Sequence, residues 1–177
     1  TLMAKLLRMP EVAANAVEDA GGLGAGPHPR VGAVVGISLD LETTSFHLRW
    51  VLERHARQAL AKAGLDVTEA ELAAWLKTVG DAVSAPLDPQ RVLGALGGIV
   101  TSRLARELSL GGPSFGVQAE EGSGLRALEV ASRLLQRGEV DCMIVGAVEL
   151  GGDVRRVLAA EALHRTGLPS DGAAAVV

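Results

Sequence analysis

One stretch constrains this chain more than any other. It runs Gly111-Gly112-Pro113-Ser114-Phe115-Gly116-Val117-Gln118-Ala119-Glu120-Glu121-Gly122-Ser123-Gly124-Leu125-Arg126-Ala127-Leu128. Ser114 to Ala119 reads as a short strand, and Gly122 to Arg137 as an amphipathic helix stopped by Gly138. A strand that turns at once into a helix lifts one side chain above a ring of backbone N–H groups. Enzymes of several folds mount a nucleophile on such an elbow. Here the tip carries Glu120 and Glu121, and neither Ser nor Cys.

The rest of the chain alternates in type. Leu2 to Met9 and Pro10 to Asp19 read as two helices, the second opened by Pro10. Gly21 to Arg30 is a Gly/Pro loop, and Val31 to Gly36 a strand of small and β-branched residues. Ser38 to Phe46 reads as a polar loop. His47 to Ala63 has helical periodicity and stops at Gly64. Thr68 to Val79 is a helix with a capping box, Thr68 and Glu71. Ala85 to Gln90 is a Pro-rich turn and Arg91 to Leu108 a helix, Gly- and Ala-rich in its first half. After the elbow come a buried strand, Val140 to Val148, a helix, Val154 to Leu163, and a strand beginning at Ala173. Strands separated by helices predict an α/β fold: a mainly parallel sheet covered by helices on both faces. The elbow helix is expected to pack through Leu125, Ala127, Leu128, Val130, Ala131 and Leu134.

Composition narrows the class further. The 177 residues are 48% hydrophobic with a net charge of −4, enough for one domain with a real core. Tyr is absent, and two Phe and two Trp are the only aromatics, so Ala, Val, Leu and Gly must build that core. Neither a basic patch nor an aromatic platform for nucleic acid is visible. The apolar runs are too short to span a bilayer, and no signal peptide is seen. A lone Cys142 excludes an internal disulfide framework and fits a reducing, cytoplasmic setting. The chain opens on Thr1 rather than Met and is read as starting inside a longer polypeptide.

The elbow stretch resembles that of the β-ketoacyl synthases, the condensing enzymes of fatty acid and polyketide synthesis. Gly112-Pro113 matches the opening of their motif and Leu125 its closing leucine. Gly94 to Ala105 looks like the helix before the elbow, Asp141 to Glu149 like the following core strand, and Arg30 to Gly36 like an early one. The resemblance covers roughly residues 30 to 177. It implies the first half of a thiolase-like fold, so that residues 1–177 form one incomplete ketosynthase-like domain, with 1–29 as leading helices and loop. The position of the family's reactive cysteine falls on Glu121. The family's two catalytic histidines lie in its second half. None of the four here, His28, His47, His55 and His164, sits in a matching motif, and all read as structural or surface residues. The passage from Leu163 to Ala173 is shorter than the family's loop. No metal-ligand spacing occurs, and no cofactor is expected.

A condensing enzyme needs a thiolate to carry the acyl group. A carboxylate holds no thioester. Glu121 is instead expected to sit as an internal anion over the N–H groups of Gly122, Ser123 and Gly124. Cys142, in an apolar strand, reads as inert packing. Loss of the cysteine is itself similar to chain-length factors, which pair with an active condensing partner; Ser38 to Trp50 departs from ordinary condensing enzymes in the same direction. The resemblance therefore implies a non-catalytic, chain-length-factor-like role. That role is to shape a partner's acyl tunnel, in a homo- or heterodimer served by an acyl carrier protein. The alternative is an acyl-processing enzyme such as a malonyl-carrier decarboxylase. Phe115, Gly116 and Val117 are the expected interface residues.

Overall fold

Two apolar strands, β1 (Val31–Ile37) and β3 (Cys142–Leu150), form the centre of the fold. They pair in parallel, Val31 opposite Cys142 through Ile37 opposite Val148. β2 (Ser114–Val117) adds in parallel on the free side of β1, and β4 (Asp171–Val176) adds antiparallel to β3. The order is β2-β1-β3-β4. The computed structural model describes residues 2–37, 41–83, 89, 96–151, 154–165, 167 and 170–177. The turn expected at Ala85 to Gln90 lies outside them apart from Pro89, as does the start of the helix expected from Arg91.

The sheet's two faces follow from the side-chain alternation of its strands. Ala33, Val35 and Ile37 of β1 and Ile144 and Val148 of β3 meet Met9, Ala13 and Val17 of α1 (Leu2–Asp19). Val100 and Leu104 of α4 (Gly98–Glu107) complete that cluster. Val34, Met143 and Val145 face the other way, onto Ala127 and Ala131 of α5 (Ser123–Gln136). Among the described residues neither cluster contains an aromatic ring, in line with a chain that has two Phe and two Trp.

Four expectations change. Pro10 opens no new helix but lies inside α1. Met9, Ala13 and Val17 are buried on one stripe across it, and that burial outweighs the hydrogen bond that Pro cannot donate. The polar loop expected over Ser38 to Phe46 is helical from Leu41, where α2 (Leu41–Ala63) begins. No Gly or Pro interrupts that stretch, and residues 38–40 lie outside those described. Third, α5 packs through Ala127, Val130, Ala131 and Leu134, whereas Leu125 and Leu128 are 78% and 46% exposed. The first four form the stripe i, i+3, i+4, i+7, and the two leucines fall off it. Fourth, β2 ends at Val117, two residues early.

Residues 40–95 form a compact unit of their own, and residues 1–39 with 96–177 form the other. Within the smaller unit α2 packs on α3 (Glu69–Val83). Arg57 donates to Glu53 at 2.8 Å and to Glu69 at 2.7 Å, and Arg49 pairs with Asp81. The expected capping box is formed: the Glu71 N–H donates to Thr68 Oγ1 at 3.3 Å, and the Thr68 N–H donates to the Glu71 carboxylate at 2.9 Å. The Thr68 hydroxyl also donates to that carboxylate at 2.7 Å, and this bond, with the one from the Thr68 N–H, holds the Glu71 carboxyl below the usual carboxylate range.

β1 has no room for side chains where the elbow lies on it. A Cβ at Gly36 would stand 2.5 Å from the backbone carbonyl group of Ser123, and one at Gly32 would stand 2.4 Å from the Pro113 oxygen. Gly36→Ala is expected to destabilise the domain by about 2 kcal/mol or more, since backbone on both sides must shift. Thermal and urea unfolding of the variant check this, with a surface Gly97→Ala change, which meets nothing within 4 Å, as the reference.

Candidate functional site

The chain leaves β2 at Val117 and reaches α5 through five residues. Ala119 is still extended in φ at −146°, and Glu120 then adopts a left-handed φ of +50°. A non-Gly residue there is uncommon and is a point of backbone strain. Glu120–Gly122 make one 3-10 turn, and Ser123 opens the helix.

The Ser123 side chain is 5% exposed and fastens this turn. Its hydroxyl accepts the Ala119 N–H at 2.9 Å and donates to the Glu120 carbonyl at 2.6 Å. The Ile37 carbonyl, at the end of β1, lies 3.5 Å away. One buried hydroxyl thus joins the residue before the turn, the left-handed residue and the neighbouring strand. The Gly122 N–H donates to the Ala119 carbonyl at 3.0 Å, and the Ser123 N–H to the Glu120 carbonyl. Two of the three N–H groups expected to form a nest are therefore engaged inside the turn.

Glu121 stands at the tip, exposed, and its carboxylate pairs with the guanidinium of Arg165. That hydrogen bond, and the carboxylate's charge, hold Arg165 protonated more firmly than usual. Sequence reasoning passed over Arg165, although the shortened link between α6 (Val154–Ala162) and β4 that carries it was visible. Glu120, Glu121, Ser123 and Gly124 form one wall of a cavity of about 450 Å³. Gly36, Ala147, Val148 and Glu149 from the ends of β1 and β3 also line it, as do Ser170 and Gly172–Ala174. It opens at the carboxyl ends of parallel strands, where ligands of open α/β sheets bind. Among the described residues three carboxylates line it, and no thiol or imidazole does.

The other candidate residues lie elsewhere. Phe115 and Gly116 are exposed on β2, at the edge of the sheet, and no described strand pairs with its outer side. Cys142 begins β3, partly buried, and desolvation pushes its thiol up. His28 makes an isolated bridge to Leu110, and His164, two residues beyond α6, has a left-handed φ of +52°. His55 is exposed, and the side chain of His47 lies outside the described part. Among the described residues no group of acidic, His or Cys side chains is placed to hold a metal, and no helix is long and apolar enough to cross a membrane. A second cavity, about 380 Å³, lies inside the helical unit and is lined by Leu60, Leu65, Leu72 and Trp75 among other apolar side chains. Its one charged lining residue, Glu71, is engaged with Thr68.

Comparison with known proteins follows the same lines. The model of the β-ketoacyl synthase N-terminal domain matches residues 5–172. A solved structure described as "PfaC Keto synthase-Chain length factor" is similar to 97% of this chain at 24% identity and a TM-score of 0.76. Another, "The ishigamide ketosynthase/chain length factor", is similar to 96% of it at 19% identity and a TM-score of 0.56. The chain spans 20% of the first structure's length and 42% of the second's. These likenesses establish the fold, a helix-covered mixed sheet of the thiolase-like type. With residues 5–172 matched by that family's model, the chain belongs to the β-ketoacyl synthase family.

Proposed function

We propose that residues 1–177 are the first part of one ketosynthase-like domain, and that this domain has no condensing activity of its own. In this reading it acts as a chain-length factor does: it pairs with an active condensing domain and shapes the acyl tunnel of a polyketide or fatty acid synthase. An acyl carrier protein delivers the chain to the assembly, and the assembly is cytoplasmic. The observation that carries the reading is the side chain at the elbow tip. The scaffold that elsewhere presents a nucleophile presents Glu121, tied to Arg165. Acyl transfer needs a thiol to form a thioester and release the carrier's thiol; a carboxylate cannot supply that step.

The decarboxylase alternative has less support. Two donors of the turn that would receive an oxyanion are engaged with Ala119 and Glu120.

The β2 edge supports the pairing. An unpaired apolar edge is a liability in water, and α4 packs against β2 while leaving Phe115 38% exposed. Phe115, Gly116 and Val117 form the centre of the proposed interface. It belongs to the large obligate class, roughly 2,000 Å² or more. The exposed Leu125, Leu128 and Leu135 on α5 support a further layer of the parent domain against that helix.

Two experiments on the complete parent polypeptide test this. Incubated with malonyl-loaded carrier protein and no partner, it should give neither a condensed nor an acetyl-carrier product by mass spectrometry. Appearance of acetyl-carrier would establish the decarboxylase reading instead. Gly116→Arg should shift the sedimentation coefficient toward the monomer while the far-ultraviolet circular dichroism stays unchanged. A folded variant with unaltered association would remove β2 from the interface.

A further inference from the structure

We propose that the groove between α2 and α3 docks the same groove of a second copy of this chain. Each copy's Trp75 seats on the other's alanines, and each Glu71 meets the other's Lys62. The groove's two walls differ in a way that suits such self-pairing. Along α2 it is lined by Ala56, Ala59 and Ala63, and along α3 by Leu72 and Trp75. Leu72 is buried, but Trp75 is 49% exposed, and Leu65 in the link between the helices is 62% exposed. Large apolar groups left open together mark an association surface. The space, about 380 Å³, has room for an indole ring from outside. A two-fold axis along the groove lays α3 of each copy over α2 of the other, so a bulky side chain meets a wall of small ones twice over.

Charge selects the second copy over an unrelated helix. Lys62 follows Ala59 by three positions and adjoins Ala63, which puts it beside the alanine wall. It is exposed and pairs with no carboxylate among the described residues. On the other wall Glu71 is exposed too. The Thr68 N–H and hydroxyl both donate to its Oε2, which leaves Oε1 without a partner among the described residues. A carboxylate has acceptor capacity to spare beyond those two bonds. The α2 lip is thus cationic and the α3 lip anionic. A foreign helix would have to match both lips with two different faces, whereas a second copy turned by the two-fold supplies both complements at once. This surface belongs to the helical unit and owes nothing to the β2 edge or to the chain-length-factor reading.

Zero-length cross-linking of the complete parent polypeptide tests this. Two versions are co-expressed, one with Lys62→Arg and the other with Glu71→Gln. The first keeps the cation but has no amine at position 62; the second keeps the capping box but has no carboxylate at position 71. A carbodiimide joins an amine to a carboxylate, so an amide between Lys62 and Glu71 can form only between copies, never within one. Mass spectrometry of the digest is expected to find it. Trp75→Ala in both versions should cut its yield by about fivefold or more, as loss of a buried aromatic anchor does. Ala59→Arg, which fills the seat from the other wall, should do the same, so the result does not hang on one variant. A yield that neither change lowers would remove Trp75 and the alanine wall from the contact and overturn the proposal. Absence of the Lys62–Glu71 amide would overturn it as well, and hydroxyl-radical footprinting then names the other occupant. A shielded Trp75 assigns the groove to another segment of the parent polypeptide, and a reactive one to a different protein.

Discussion

The fold depends on how closely the elbow sits on β1. Gly36 leaves no space for a side chain against the Ser123 backbone, and the Ser123 hydroxyl bonds both sides of the left-handed Glu120. A buried hydroxyl that loses such partners costs about 1–3 kcal/mol, comparable with the strain of one left-handed non-Gly residue. The turn is therefore over-determined: close packing from below and hydrogen bonds from within hold a backbone conformation that Glu120 would not choose alone. α5 starts where that turn leaves it, and its Ala127 and Ala131 then meet Val34, Met143 and Val145.

None of these restraints involves the side chain at position 121. The scaffold of an enzyme site can thus persist while its chemistry is exchanged. With a thiol at the tip, the same geometry would offer a nucleophile at a helix start. With Glu121 it offers an anion whose charge is answered by Arg165 from a different part of the chain.

Much of this was legible in the sequence because it depends on local pattern. β1, β3 and the elbow helix were read within a few residues, since runs such as Ala33-Val34-Val35 and the stripe from Ala127 to Leu134 report their own periodicity. The capping box at Thr68 and Glu71 was equally plain. Other features depend on what packs where. Pro10 looked like a helix start, and only the burial of Met9, Ala13 and Val17 against the sheet carries α1 through it. The short β2 follows from the turn at Glu120, which no propensity announced. In the site, Glu120 and Glu121 were legible as residues of the turn between β2 and α5. Arg165 was not: its relevance comes from a long-range contact, and a lone Arg after a helix carries no signal. The engagement of the Gly122 and Ser123 N–H groups within the turn was hidden for the same reason.

The central claim is that an intact elbow carries no nucleophile, and covalent loading measures it most directly. The complete parent polypeptide is incubated with acyl-loaded carrier protein, digested and read by mass spectrometry across residues 114–128. The account predicts no acyl adduct on any residue of that stretch. A stoichiometric adduct there, lost on Glu121 substitution, would contradict it.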